Sequence, residues 1–448
     1  MKRLVLALLV LLAACAVAFA SGQEETEVME RPDGVLTVTV GYNPNELSED
    51  EVAAFEDKHP ETDINQIAAD YNTLLSSVAA GDPPELFRTQ HNQMPYFAVR
   101  DLLQPIDSYI AASTVIDESD FEFSVNTFRY DKENYIAGEG PLYGLPKDYS
   151  VLFDFFYRKD IWEEAGVELP SSTTPMTYQE FRDAIEQLTV RDGDRTVRWG
   201  YHGILAQDPH QAMELLLAQM GQSLYADDEL KEINIVENPD AVEIARFIYD
   251  LAKDRLTDSP LDPADAWLGG NLAAENPRSA LYHHGYWAGA MYNSPETADL
   301  FGYAPSPLWG DQWLNGGHVA GTMMFKSDQS YMNDEAWKFM EYYHGEEPAV
   351  ARAESGWGLP IQKSFRDMVP LSTELDRTRL EVTTNQLDSG NYYVINGNPW
   401  ALEPIKTVWN KYWGQVLNDD ISFDEFLARV EKESNDLILD GLNTLGEF

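Results

Sequence analysis

The sequence predicts an α/β fold made of two lobes that share strands, and three observations predict it. A β-branched run at Val35–Val40, an amphipathic segment at Ser48–His59 and a short run at Thr62–Ile67 give strand, helix and strand in succession. That order implies a parallel strand pair with a helix covering the sheet. The alternation then recurs along most of the chain, and no internal repeat or low-complexity linker divides it into independent domains.

Each element has a local cause. Ser48 stands three residues before Glu51, the spacing of a capping box, and Val52, Ala53 and Phe55 supply an apolar face. Tyr71–Ala80 reads as a helix stopped by Gly81-Asp82-Pro83-Pro84. Glu85–Thr89 follows as a short buried strand and Phe97–Leu103 as a helix. A second α/β region begins after Leu142–Pro146. It holds the apolar stretch Val151–Tyr157 and helices over Lys159–Ala165, Thr177–Thr189, Gln211–Met220 and Asp240–Lys253. Thr177 with Glu180 repeats the capping-box spacing, and Phe181, Ile185 and Leu188 line one side of the helix they open. Ser422–Leu439 is a last amphipathic helix.

The totals restrict what such a fold can bind. The 448 residues are 44% hydrophobic, enough for a large core, and carry a formal charge of -45. A field of that sign repels nucleic acid and anionic lipid headgroups, and no Lys/Arg cluster offers a local exception for phosphorylated ligands. The 11 Trp and 23 Tyr suit flat apolar ligand surfaces as well as core packing.

Met1–Ala20 has the form of a signal peptide: Lys2 and Arg3, then an apolar run from Leu4 to Leu12 too short to span a bilayer. Leu12-Ala13-Ala14-Cys15 has the form of a lipobox, in which Cys15 would carry lipid; Ala18-Phe19-Ala20 before Ser21 has the form of an ordinary cleavage site. Both remain open. Cys15 is the only cysteine, so no disulfide is expected. Residues 21–33 read as an acidic, flexible leader.

Several segments, in order, resemble one known family. Ala80-Gly81-Asp82-Pro83-Pro84-Glu85-Leu86-Phe87, Leu103-Gln104-Pro105-Ile106-Asp107 and Tyr143-Gly144-Leu145-Pro146 are followed by Tyr157-Arg158-Lys159-Asp160 and Ala280-Leu281-Tyr282-His283-His284-Gly285-Tyr286-Trp287. Gly316-Gly317-His318, Ala336-Trp337-Lys338-Phe339 and Gly356-Trp357-Gly358-Leu359-Pro360 complete the series. Together they resemble the extracellular solute-binding proteins of ATP-driven sugar importers, the maltose-binding-protein-like group. Arg158 departs from the pattern, standing where the family usually has Asn.

The resemblance implies a periplasmic-binding-protein-like (class II) fold, in which several strands cross between two lobes and a ligand sits in the cleft. Carried onto this chain, one lobe is 34–146 plus 318–356 and the other 147–317 plus 357–448. It implies an exported monomer, in the periplasm or cell envelope, that uses no cofactor, captures a sugar or oligosaccharide and delivers it to the permease subunits of the importer.

A sugar site needs aromatic plates for C–H faces and short polar groups for hydroxyls. Trp287 is the first candidate, because the family places a ligand-stacking aromatic there. Tyr42, Asn43 and Asn45 follow the first strand, and Gln90 and His91 follow the Glu85–Thr89 strand, at the carboxyl ends where α/β sheets bind ligands. The resemblance adds Asp148 and Tyr149, just past a lobe crossing. Gly317 and His318 lie at another crossing and Trp357 at a third. Trp400 is the expected further plate, with Trp409 and Trp413 assigned to the core; Tyr71 and Tyr201 are weaker candidates.

Catalytic signatures are missing from the sequence: no G-x-S-x-G, P-loop, GxGxxG after a strand or H-E-x-x-H occurs, and His283-His284 has the wrong spacing for metal on one helical face. The chain is therefore expected not to be an enzyme and to hold no metal. Two alternatives stay open: an exported glycoside hydrolase or other carbohydrate-binding protein, since carboxylates are abundant, and a polyamine-binding transport protein, which would line its cleft with acids.

Overall fold

The first β-branched run forms strand β1 (Leu36–Gly41), which pairs in parallel with β2 (Thr62–Ile67) and β3 (Leu86–Gln90). The computed structural model describes residues 31–446 except Asp33 and Glu122. Met1–Ala20 with Cys15, and most of 21–33, lie outside the described residues.

The helix between β1 and β2, Glu49–Lys58, starts at N-cap Ser48 with the capping box to Glu51 in place. Tyr71–Ala80 ends at Gly81, whose φ of 77° is the left-handed conformation that glycine adopts without strain. Between β3 and the next crossing the expected Phe97–Leu103 helix is instead a short one over Met94–Ala98, which Pro95 helps to start.

Strand β4 (Gly144–Val151) carries the chain out of this region to β5 (Phe155–Arg158). Beyond it come β6 (Leu281–His283), β7 (Phe301–Ala304), the long β8 (Asn315–Met324), β9 (Leu359–Pro360) and β10 (Tyr392–Val394). The larger sheet has the order β9-β4-β8-β3-β1-β2, with β10 pairing beside the start of β8. β8 runs antiparallel to both β3 and β4, so β1 to β4 all point the same way. Every residue of β8 is buried, which makes it the spine of the sheet. The smaller sheet, β6-β5-β7, is antiparallel.

Each sheet has apolar packing on both faces. Strand alternation sends Leu86 and Met324 into one core and Phe87 and Met323 into another. In the smaller sheet Phe155 and Leu281 face one core, while Phe156 and Tyr282 face the opposite one. The helix Tyr178–Leu188 packs there as its sequence predicts, burying Tyr178, Phe181, Ile185 and Leu188 behind the Thr177–Glu180 capping box. Two sheets with separate cores make two lobes, joined by the chain around β4, β8, β9 and β10.

One joint carries a buried carboxylate. Glu214, on the helix Pro209–Gln219, accepts from the backbone N and side chain of Asn396 at 2.7 Å each and from the Tyr393 hydroxyl at 3.0 Å, all through Oε1. Burial pushes this carboxyl up to about 7, against those donors, and the charge of Asp208 adds to the rise. His210 Nε2 lies 3.5 Å from the other oxygen. The native state thus retains a proton that the unfolded chain releases near 4.5. The associated stability is complete below that pH and disappears as pH rises through 7. Relative to Glu214→Gln, which stays neutral, the wild type should lose on the order of 3 kcal/mol between pH 4.5 and 8. Urea midpoints of both proteins across that range test this; a gap independent of pH would contradict it.

Candidate functional site

A cavity of about 420 Å³ lies at the carboxyl ends of β1 and β3, within the roughly 300–1,000 Å³ common for small-molecule sites. Its lining comes from segments far apart in sequence: the polar Asn43, Asn45, Glu46, Arg88, Gln90 and Asp148, and with them Trp267, His284, Trp287, Met291 and Trp357.

The polar side follows from strand geometry. Leu86, Arg88 and Gln90 alternate onto one face of β3; Leu86 is core, while Arg88 and Gln90 reach the open end. Glu46, in the loop after β1, ties this side together. Its Oε1 accepts from Arg88 Nε at 3.0 Å and from buried Lys147 Nζ at 2.7 Å, and its Oε2 accepts from Asn43 at 3.2 Å. Burial alone would raise the Glu46 carboxyl, but the charges of Lys147 and Arg88 outweigh it and hold the group well below the usual carboxylate range. Lys147 also lies 3.4 Å from Asp148 Oδ2. Gly358 leaves room for the Asp148 side chain, because a Cβ there would sit 2.8 Å from that of Asp148.

The opposite side is aromatic. Trp287 heads the 3-10 helix Tyr286–Met291, with its ring centroid 5.4 Å from Trp357 and 6.3 Å from Trp267, which is nearly parallel to it at 15°. Trp267 is 49% exposed, an unusual position for so large an apolar group and one that a ligand would cover. Its ring lies over Gly269 and Gly270, where a Cβ would come within 2.9 Å of the indole.

Arg379 fixes two of these plates from beneath. Fully buried, it donates through Nη1 to Tyr286 O at 3.0 Å and through Nη2 to Gly356 O at 3.4 Å, the carbonyls just before Trp287 and Trp357. Asp376 Oδ1, 3.3 Å away, balances its charge, and the guanidinium stacks 4.4 Å from the Tyr286 ring centroid.

Of the residues the sequence singles out, Asn43, Asn45, Gln90, Asp148, Trp287 and Trp357 meet at this cavity. The others are placed elsewhere. Tyr42 is core, its hydroxyl 2.5 Å from Thr322 Oγ1 and its ring 4.6 Å from Tyr343, because the alternation of β1 continues one residue past the strand. Tyr149 is buried in β4 and packs edge-on against Tyr392. His91 bonds Ile395 O through Nε2 at 2.8 Å and accepts from Val319 N at 3.0 Å, stitching the lobes together. Gly317 pairs with Val151 and Val394 inside the sheet, and His318 is buried beside His91. Trp400 is core rather than a plate: it is 1% exposed and its Nε1 donates to Glu229 O at 2.8 Å. Trp409 and Trp413 are core as expected, and Tyr71 and Tyr201 likewise pack. Arg158, the departure from the family pattern, is structural, bonding Asp160 and the carbonyls of Leu272 and Ala274.

Sequence reasoning missed Glu46, Arg88, Trp267, His284 and Met291. Period-two alternation along β3 would have found Arg88, whereas Met291 lies with Trp287 on a 3-10 helix, where an i, i+4 spacing marks no shared face. Trp267 and His284 gave no such local signal. No group of three or more His, Cys, Asp or Glu residues that could hold a metal occurs among the described residues, and no helix among them is long and apolar enough to cross a membrane.

A family model described as bacterial extracellular solute-binding protein matches residues 43–350. The chain is 23% identical over 315 residues to an arabinooligosaccharide-binding protein of Halalkalibacterium halodurans, covering 66% of this chain and 64% of that protein. It is 21% identical over 277 residues to a maltotriose-binding protein of Pyrococcus abyssi, covering 61% and 53%. The alignments thus span less than two thirds of either relative. Among solved structures, an ABC substrate-binding protein from Listeria monocytogenes in complex with cycloalternan matches with a TM-score of 0.70 at 21% identity, covering 92% of this chain and 99% of that one. That likeness is one of fold.

Proposed function

Because the chain belongs to the bacterial extracellular solute-binding proteins, we propose that it is the binding component of an ATP-binding-cassette importer and captures a neutral sugar or oligosaccharide in this cavity. The observation that carries the reading is the wall of Trp267, Trp287 and Trp357 facing Asn43, Asn45, Gln90 and Asp148 across one opening. Indole faces suit the C–H faces of a sugar ring, and the amides and carboxylate suit its hydroxyls. The relatives named for arabinooligosaccharide and maltotriose support the same class.

With the lobes divided as 34–146 plus 318–356 and 147–317 plus 357–448, both contribute to the cavity, so a ligand held by both favours their closure around it. The protein then acts as an exported monomer that presents the ligand to membrane permease subunits. Export follows from the segment Met1–Ala20, with Cys15 as lipid anchor or Ala20 as cleavage point. The reading is one of capture without turnover. A polyamine is disfavoured because Glu46 and Asp148 both lie beside Lys147 and are not spare for an incoming cation.

A thermal-shift screen of neutral oligosaccharides, polyols and polyamines tests the proposal, since a ligand that binds only the folded state raises the midpoint by mass action. Arabino- or malto-oligosaccharides should raise it, with no product released on prolonged incubation. A shift with polyamine alone, or sugar hydrolysis at enzymatic rates, would overturn it.

A further inference from the structure

His284 occupies a place in the cavity that neither its sequence context nor the family resemblance assigns. It stands at the end of a column of three near-parallel rings: His202 on Tyr282 at 5.4 Å, and Tyr282 on His284 at 5.3 Å, both at 18°. The base of the column is fixed, because His202 Nδ1 lies 2.7 Å from Asp258 Oδ1 and its Nε2 3.0 Å from Gln207. Trp287 meets the exposed end edge-on at 5.5 Å. The imidazole plane is therefore set by packing on one side and by the principal tryptophan plate on the other.

Its tautomer is set as well. Nδ1 accepts from the Gly285 backbone N–H at 2.8 Å, so in a neutral ring the proton belongs to Nε2. Burial pushes the imidazole down to about 4, and His202 adds to this, so the ring stays neutral at ordinary pH. The other ionisable groups around it are His283 next to it in the chain, Tyr282 and Asp258 along the column, and Glu46, Arg88 and Asp148 on the remaining walls.

We propose that His284 is a specificity-determining residue, a fixed one-way hydrogen-bond donor whose Nε2–H meets an acceptor oxygen of a ligand lying on Trp287. The assignment rests on the sugar reading of the cavity. A sugar hydroxyl can turn to donate or accept, whereas a ring or glycosidic oxygen only accepts. A donor with no acceptor counterpart therefore favours the ligand orientation that brings such an oxygen to it. Met291 and Trp267 beside it offer no competing acceptor carboxylate.

The test compares wild type, His284→Gln and His284→Leu by calorimetric titration with arabinotriose and maltotriose between pH 5.5 and 8, alongside the melting point of each protein. Glutamine keeps an N–H near the Nε2 position and should bind within threefold of wild type; leucine should lose at least tenfold while melting within a few degrees. Wild-type affinity should be flat across this pH range. Leucine binding within twofold of wild type, or a one-proton loss of wild-type affinity on acidification that His284→Gln abolishes, would overturn the assignment. Failure of wild type to bind either trisaccharide or any other neutral sugar would instead overturn the sugar reading, and this inference with it. Nitrogen-15 NMR of the unliganded protein provides a measurement independent of any ligand: an Nε2–H tautomer that does not titrate above pH 5.5 is expected, and an Nδ1–H tautomer or a midpoint above pH 6 would refute the proposal.

Discussion

Replacing Trp287 by alanine is expected to weaken carbohydrate binding at least tenfold, about 1.4 kcal/mol or more, while the fold survives. Trp287 touches every aromatic group of the cavity: Trp267, Trp357 and His284 all have ring centroids within 6.3 Å of it. A stacking contact contributes about 0.5–1.5 kcal/mol beyond the area it buries, and here loss of the plate also releases its neighbours. Because Trp287 is only half-buried at the edge of its core cluster, removing it should lower the melting point by no more than a few degrees. Isothermal titration of wild type and Trp287→Ala with the sugar giving the largest thermal shift decides the matter. Unchanged affinity would take Trp287 out of the site, and with it the reading of the aromatic wall.

Arg379→Met should damage both stability and binding. Removing one partner from a buried ion pair costs about 3–5 kcal/mol when the other charge is left behind, and here Asp376 stays fully buried together with the carbonyls of Tyr286 and Gly356. Methionine fills much of the volume, so the loss is mainly electrostatic. Asp376 retains Thr373, whose N and Oγ1 donate to Oδ2 at 3.2 and 2.8 Å, which places the expected loss nearer the lower figure. Those two carbonyls precede Trp287 and Trp357, so the surviving folded protein should also bind sugar several-fold more weakly. Denaturant midpoints report the first effect, and titration well below the melting point reports the second. A variant that is destabilised but binds normally would make Arg379 a core residue only, without a role in placing the plates.

Much of the fold is written locally. The capping boxes at Ser48–Glu51 and Thr177–Glu180, and the 3.6-residue spacing of Phe181, Ile185 and Leu188, depend only on near neighbours. Those elements appear where the sequence predicts them. The Met94–Ala98 helix departs from expectation because Pro95 favours a start earlier than the apolar run suggests. The helix Glu374–Asp388, which carries Arg379, was not foreseen: its polar residues hide that one face meets the Trp287 and Trp357 loops.

The site divides differently. Asn43, Asn45 and Gln90 were legible because the carboxyl ends of parallel strands are where an α/β sheet opens. Tyr42, His91 and Tyr149 are their immediate or near neighbours and turn the other way, since successive strand residues face opposite sides and the sequence does not mark where alternation stops. Trp400 and Trp287 are alike as residues, yet the first is enclosed, with the Tyr135 ring packed 4.6 Å away, while the second stands at an opening. The sequence alone determined the α/β class, the supply of aromatic and amide groups and the acidic exterior, because these depend on composition, periodicity and spacing. Only the tertiary structure decided which tryptophans form a wall, that Glu46 joins Arg88 to Lys147, and that His284 lines the cavity with Nδ1 held by the Gly285 N–H. Those facts depend on long-range packing among distant segments, and no local pattern encodes such contacts.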